Sequence, residues 1–527
     1  MVAAAPRSRP GSGGTRHAYE VIVLGGQLGG AVAAALLAKR GYRVLLIEHD
    51  GVGPGYEQGG YLLPFAPFVM PQLKTMPAAE AALSELALNT PVQRAMRHQQ
   101  PMLQLAMPHQ RVDLLAAQLQ PGQAHDPRTV SLERQLGSEG ASLGAELSGL
   151  EATLESTQAF FRGLLNGPGL HPDGMMEGWE LKSQVKKLPP GLSELGTSPL
   201  LRNGGPATDL LRAWGPFLHY AAIPDGPFAG RRPLAQMVHS LGHYPGGREG
   251  LRQLVCKKLL DLGGDILEAE GASSAVAESL LFEGSRLAGV QVFRNETPYR
   301  AQCVIGATDA QALRRLLPDK QKQKGLADLL DLSTIRRFLF TVNWVVKADA
   351  LPMGMGELLL CDDSSVGPLL LQIYPARKVD GTTTGAAAAA LAIKEEPELR
   401  VVCAAAFVPA AIRDGGELHQ KEVADSISHL MSTLMPFADR HRLVASAPYL
   451  DAGGVRGSRL MPHPLYELAT PAFLGVTGLP IRTPVKNLLL ASREVLPSLG
   501  LEGEFIAALG AAKRVHESLK KRDFLNG

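Results

Sequence analysis

Two short stretches carry residue types whose spacing could do chemistry. The first is Gly25-Gly26-Gln27-Leu28-Gly29-Gly30, with Glu48 further along the chain. Glycines so spaced let a backbone turn tightly and offer amide groups to an anion, and an acid at the tip of the next strand accepts hydrogen bonds from a ribose. The chemistry is recognition of a dinucleotide. Aligned on Gly25, the pattern is met at Gly25 and Gly30, but Gln27 stands where a glycine normally keeps a Cβ away from the pyrophosphate. A glutamine there either donates its amide to the phosphates or crowds them out, and a positive φ at that position would cost about 1 to 2 kcal/mol. The second stretch is Ser492-Arg493-Glu494, followed by Pro497-Ser498-Leu499-Gly500-Leu501-Glu502-Gly503-Glu504-Phe505. A glycine-flanked turn into a helix would aim further amides at a cofactor, with Ser492, Arg493, Leu499, Gly500, Glu502 and Gly503 as the contacts.

The elements that position these residues can be read from hydrophobic period. Tyr19 to Leu24 is an apolar run, Gly29 to Arg40 an alanine-rich helix, Gly41 its stop, and Val44 to Ile47 a second apolar run. Together they predict a βαβ unit, hence an α/β fold. A strand from Leu488, a loop at Ser492 and a helix from about Glu504 repeat the theme near the other end of the sequence.

A chain of 527 residues exceeds what one core usually holds, so two domains are expected. Lys and Arg number 53 against 51 Asp and Glu, and no basic block suggests nucleic acid. Cys256, Cys303, Cys361 and Cys403 are isolated, without metal-ligand spacing, and read as buried thiols in a reducing, cytoplasmic compartment. No metal is expected. Residues 1–17 read as a disordered tail without a secretory signal. The small-residue run Gly385 to Ile393 is too short to span a bilayer, which takes roughly 20 residues.

Taken in order, residues 18–75, 245–312 and 478–527 predict a discontinuous dinucleotide-binding domain. Residues 76–244 predict a helical insert and 313–477 an antiparallel sheet, together the substrate domain. Tyr61 to Pro71 is apolar, with three prolines that exclude a long helix, and suits a pocket wall, a lipid contact or a kinked core segment. Leu132, Leu136, Leu143, Leu147, Leu150, Leu154 and Phe161 form one stripe on a predicted long helix, which Gly137, Gly140, Gly144 and Gly149 weaken. Helical stretches at Asp209 to Tyr220 and Leu234 to His243 bring aromatic residues that suit either a cavity wall or a core. Tyr61, Trp214 and Tyr244 are the candidate pocket residues.

Gly25 to Glu48, Tyr244-Pro245-Gly246-Gly247 and Thr483 to Phe505 together resemble the phytoene desaturase-like (carotenoid and retinoid oxidoreductase) branch of the FAD-dependent amine oxidase superfamily. The resemblance covers the whole chain in order, loosest between Pro77 and Asp209. It implies a Rossmann-like domain holding the ADP half of FAD, a C-terminal block beside the flavin ring, and desaturation, saturation or isomerisation of a long apolar polyene or lipid. Three positions depart from the family's pattern: Gln27, Gly59-Gly60-Tyr61 where that family has Gly-Gly-Arg, and Ser492-Arg493 where it often has Gly-Asp or Gly-Arg.

Two functions stay open. One is an FAD-dependent oxidoreductase acting on an apolar substrate, with peripheral contact to a membrane surface through Tyr61 to Pro71 and Trp214 to Tyr244. The other is a flavin-free protein of the same fold, in which FAD binding is weakened or lost, serving as a binding or assembly partner. An NAD(P) dehydrogenase ranks last, because it leaves Asn487 to Phe505 without a purpose.

Overall fold

A computed structural model describes residues 18–48, 55–98, 101–116, 126–166, 169–172, 174–188, 201, 204–222, 227–267, 276–293, 295–319, 322–363, 365–379, 393–451, 461–469 and 473–519. The tail 1–17, the loop 49–54 and residues 385–392 of the small-residue run lie outside them.

The βαβ unit forms as its period predicts, with β1 at Ala18–Leu24, α1 at Leu28–Lys39 and β2 at Val44–Ile47. Gly41, at φ 82°, supplies the left-handed residue that stops α1. β1 runs parallel to β2 on one side and to Tyr299–Gly306 on the other. Asp265–Leu267 continues the sheet beyond β2, and Leu488–Leu490 continues it beyond Tyr299–Gly306. Two further strands, Ala277–Glu283 and Arg286–Val292, add an antiparallel margin. The sheet is buried on both faces, as parallel sheets are. Ala31 to Ala35 are buried, and their short side chains let α1 lie between the helices Gly247–Asp261 and Gly500–Leu519.

The second layer is a ten-stranded sheet built mainly on Ser333–Lys347, Ile393–Pro409, Gly367–Val379 and Leu358–Asp363, antiparallel neighbours in that order. Phe338, Phe340 and Trp344 lie in one apolar cluster with Ile427 and Met431 of the helix Gly416–Leu434. Leu339, Leu370 and Ala405 belong to another cluster, shared with Trp214, Leu234 and Val238.

Local readings are corrected in several places. The stretch from Pro77 to Leu165 is not all helical: Leu103–Met107 and Gln110–Leu114 form a hairpin that joins the large sheet beside Leu358–Asp363. The long helix is two, Pro127–Leu136 and Ser138–Asn166, because Gly137 adopts φ 63° between them. Leu132, Leu143, Leu147, Leu150, Leu154 and Phe161 are nonetheless buried, as a packing stripe should be. The helix expected from Asp209 ends at Ala213, and the last helix starts at Gly500 instead of Glu504. All four cysteines are buried thiols outside any disulfide. Among the described residues no helix is long and apolar enough to cross a membrane, and no group of His, Cys, Asp and Glu is placed to hold a metal ion.

Candidate ligand site between the two sheets

The glycine turn is held by close packing. Gly25 adopts φ 130°, and a Cβ there would lie 2.1 Å from the carbonyl oxygen of Ala307; one on Gly30 would lie 2.3 Å from the Ala307 Cβ, and one on Gly29 2.7 Å from the carbonyl oxygen of Ala491. Leu28 is fully buried in the core. Gln27 caps α1 at φ −71° and ψ 153°, ordinary extended backbone, so the strain considered for a positive φ is absent. Its side chain has internal partners at both ends. The amide nitrogen donates to Asp309 Oδ1 at 3.1 Å, and its oxygen accepts from the backbone N–H of Arg493 at 2.9 Å. Gln27 therefore ties the N-terminal turn to the C-terminal block.

Glu48 and Glu504 are engaged in the same internal manner. The Glu48 carboxylate is ion-paired with Arg252, a buried residue of the helix Gly247–Asp261 that also donates to Glu249 at 2.6 Å. Glu504, 1% exposed, receives the Gly29 N–H at 3.4 Å, the Tyr220 hydroxyl at 2.8 Å, and both terminal nitrogens of Arg248. Burial works against its charge, but the guanidiniums of Arg248 and Arg493 hold its carboxyl below the usual carboxylate range. An internal anion thus sits at the amino end of α1, where an external one would bind.

The rest of the C-terminal block is packing. Gly500, at φ 53°, lies against the Leu218 carbonyl, Gly503 against the Leu496 carbonyl, and Leu499 is core. Glu502 was expected to face a cofactor, yet it is buried in an ion pair with Arg232 at 2.9 Å and accepts from Gln236 at 2.8 Å. Ser492 Oγ lies 3.3 Å from Glu494. Burial, and next the charge of Asp309, push the Glu494 carboxyl up to about 8, while Ser333 and the Ala310 N–H donate to it.

Between the two sheets lies a cavity of about 200 Å³. Gly26, Gln27, Arg248, Asp309 and Arg493 face it from the nucleotide layer, and Phe217, Leu339, Leu370, Val401 and His463 from the other. The proline-rich segment from Leu62 to Val69 forms part of the wall. Tyr61, Trp214 and Tyr244 do not. Tyr61 pairs with Lys378 in the outer hairpin, Trp214 is fully buried in the cluster under the large sheet, and Tyr244 packs into the nucleotide core. Their neighbours Leu62, Phe217, His243 and Pro245 take the places assigned to them. His463 holds a left-handed φ of 49° and donates from Nε2 towards the carbonyls of Pro216 and His219; burial keeps its pKa down to about 3, so the ring is neutral. Sequence reasoning missed Arg97, Arg248, Arg377, Glu504 and His463. Two of them had a signal: Arg248 stands directly after Tyr244 to Gly247, and Glu504 directly after Gly503 in the C-terminal stretch.

Comparison with known proteins supports this architecture. Residues 23–86 match the model of the NAD(P)-binding Rossmann-like domain. Compared with curated protein sequences, the chain finds no match. Among solved structures it is similar to an oxidoreductase from Methanosarcina mazei, at 14% identity and TM-score 0.53, covering 95% of this chain and 100% of that one. It is similar to the cyclohexylamine oxidase of Brevibacterium oxydans with the same identity, score and coverage. Putrescine oxidase bound to putrescine aligns at 14% identity and TM-score 0.52 over 96% of this chain and 99% of its own. The chain therefore has an amine-oxidase-like α/β fold with a Rossmann-like domain.

Proposed function

We propose that the chain keeps the fold of these oxidoreductases without holding FAD, and that it acts as a binding protein whose cavity takes an apolar small molecule or lipid. The observation that carries this reading is the Glu504 carboxylate on the Gly29 N–H. A pyrophosphate at the start of α1 would meet the ion-paired Glu504 carboxylate in place of a free Gly29 amide, and would have to displace it to bind there. The Arg252 ion pair of Glu48 and the Gln27 bridge to Arg493 support the same reading, so the residues present do not fit FAD. Four arginines face the cavity, Arg97, Arg248, Arg377 and Arg493, which argues against the cationic amines for which two of the similar structures are named. Apolar ligands partition into bilayers, so transient contact with a membrane surface belongs to the proposal.

A second reading, an FAD-dependent oxidoreductase of polyenes or lipids as the family resemblance implies, keeps one observation in its favour. The cavity lies where the nucleotide layer meets an apolar sheet and reaches Gly26, Gln27 and Arg493 of both cofactor motifs. Titration of the purified protein with FAD, followed by quenching of flavin fluorescence, separates the two. A colourless protein and no saturable uptake are expected; stoichiometric uptake would replace the first reading by the second.

A further inference from the structure

The cavity wall carries guanidinium donors that its own carboxylates leave without a hydrogen bond. Three acids face the cavity, and each is engaged: Glu249 with Arg252 at 2.6 Å, Glu395 with Arg97 at 3.6 Å, and Asp309 with Gln27 and Tyr466. Arg248 is held by Glu504. The Nε of Arg248, Arg377 and Arg493 is in each case buried without a hydrogen-bond partner, but only the Arg248 guanidinium donates elsewhere, to Tyr220 and Glu504; the side chains of Arg377 and Arg493 make no hydrogen bond among the described residues. The carboxylate oxygen nearest Arg493, Oε1 of Glu504, is 3.9 Å away and already receives Tyr220 and Arg248. Much of the remaining wall is apolar, with Phe65, Phe68, Phe217, Leu339, Leu370 and Val401. An apolar chamber with an underused guanidinium in its wall has the chemistry of a site for an amphipathic anion, since a carboxylate can take two parallel N–H donors from arginine.

We propose that this cavity binds an apolar molecule ending in one anionic group, a carboxylate by preference, with Arg493 as its anchor. The proposal rests on the reading of this cavity as a site for an apolar ligand. Its test is isothermal titration calorimetry with decanoate and decanol, which share a tail and differ in charge. The wild type should bind decanoate at least about tenfold more tightly than decanol. Arg493→Gln should weaken decanoate by about ten- to a hundredfold, the loss of a hydrogen bond to a charged group, and leave decanol near its wild-type affinity. Arg493→Lys, which keeps the charge without the fork, should recover part of that loss. Equal wild-type affinity for the two probes, no decanoate binding, a glutamine variant that binds decanoate as before, or one that folds but loses both probes equally would each overturn the proposal. Should Arg493→Gln fail to fold by circular dichroism, the wild-type comparison decides alone. The FAD titration reports separately: flavin uptake with a decanoate preference removes only the flavin-free reading, and no flavin uptake without that preference removes only this proposal.

Discussion

Replacing Gln27 with glycine restores the residue that a dinucleotide-binding turn normally has, and the structure predicts that it harms the protein. The side chain satisfies the partly buried Arg493 N–H at 2.9 Å and donates to Asp309 at 3.1 Å in a buried setting. Removing the acceptor leaves a partly buried amide unpaired, at about 1 to 3 kcal/mol, and the lost donor to Asp309, which keeps Tyr466, adds about 1 kcal/mol. Glycine also gives the unfolded chain more freedom, worth roughly 0.5 to 1 kcal/mol. The sum is about 2.5 to 5 kcal/mol of lost stability, since φ −71° is open to any residue and gives glycine no compensating relief. The assay is chemical denaturation followed by circular dichroism, paired with FAD titration of the same variant. Lower stability with no gain in flavin uptake is expected, because Glu504 and the Glu48–Arg252 pair remain in place. A variant as stable as the wild type, or one that gains FAD, would refute the reasoning.

Two other perturbations follow from the geometry. Glu494 titrates near 8 in the folded state against an ordinary 4.5, so the native state holds the extra proton between those values; stability should fall as pH rises from about 4.5 to about 8, and Glu494→Gln should flatten that slope in denaturation curves taken across the range. Gly30→Leu would drive its side chain into Ala307 and Val23 and wedge α1 off the sheet, so expression in inclusion bodies or a sharply lowered melting temperature is expected, and an unchanged melt would count against the packing described.

Much of the fold was legible because its signals are local. The apolar runs around α1, the alanines that let it pack closely and the stop at Gly41 each sit within a few residues of what they determine. The Leu103–Leu114 hairpin was not legible: its alternating Leu103, Leu105, Val112 and Leu114 span strands of five residues amid glutamine-rich sequence of helical character. The glycine turn and the C-terminal block lie beside each other, but the ion pairs and hydrogen bonds that join them were not legible. Nothing near Glu48 announces Arg252, and nothing near Gly29 announces Glu504, because each is a contact between segments hundreds of residues apart. For Trp214 the composition was ambiguous; an aromatic residue in a cavity wall and one in a core have the same sequence signature until burial is known.

The separation of 475 residues between Gly29 and Glu504 also bears on the order of events in synthesis. β1 emerges from the ribosome first, yet its neighbour Tyr299–Gly306, the strand Leu488–Leu490 beyond that, and the helix Gly500–Leu519 against α1 all come much later. The nucleotide layer therefore cannot close until the helix Gly500–Leu519 has been made. Until then the apolar α1 and the edges of β1 are open to wrong partners, a demand that falls on chaperones, and such long-range pairing makes folding slow. Removing the last helix would leave the first one permanently in that state.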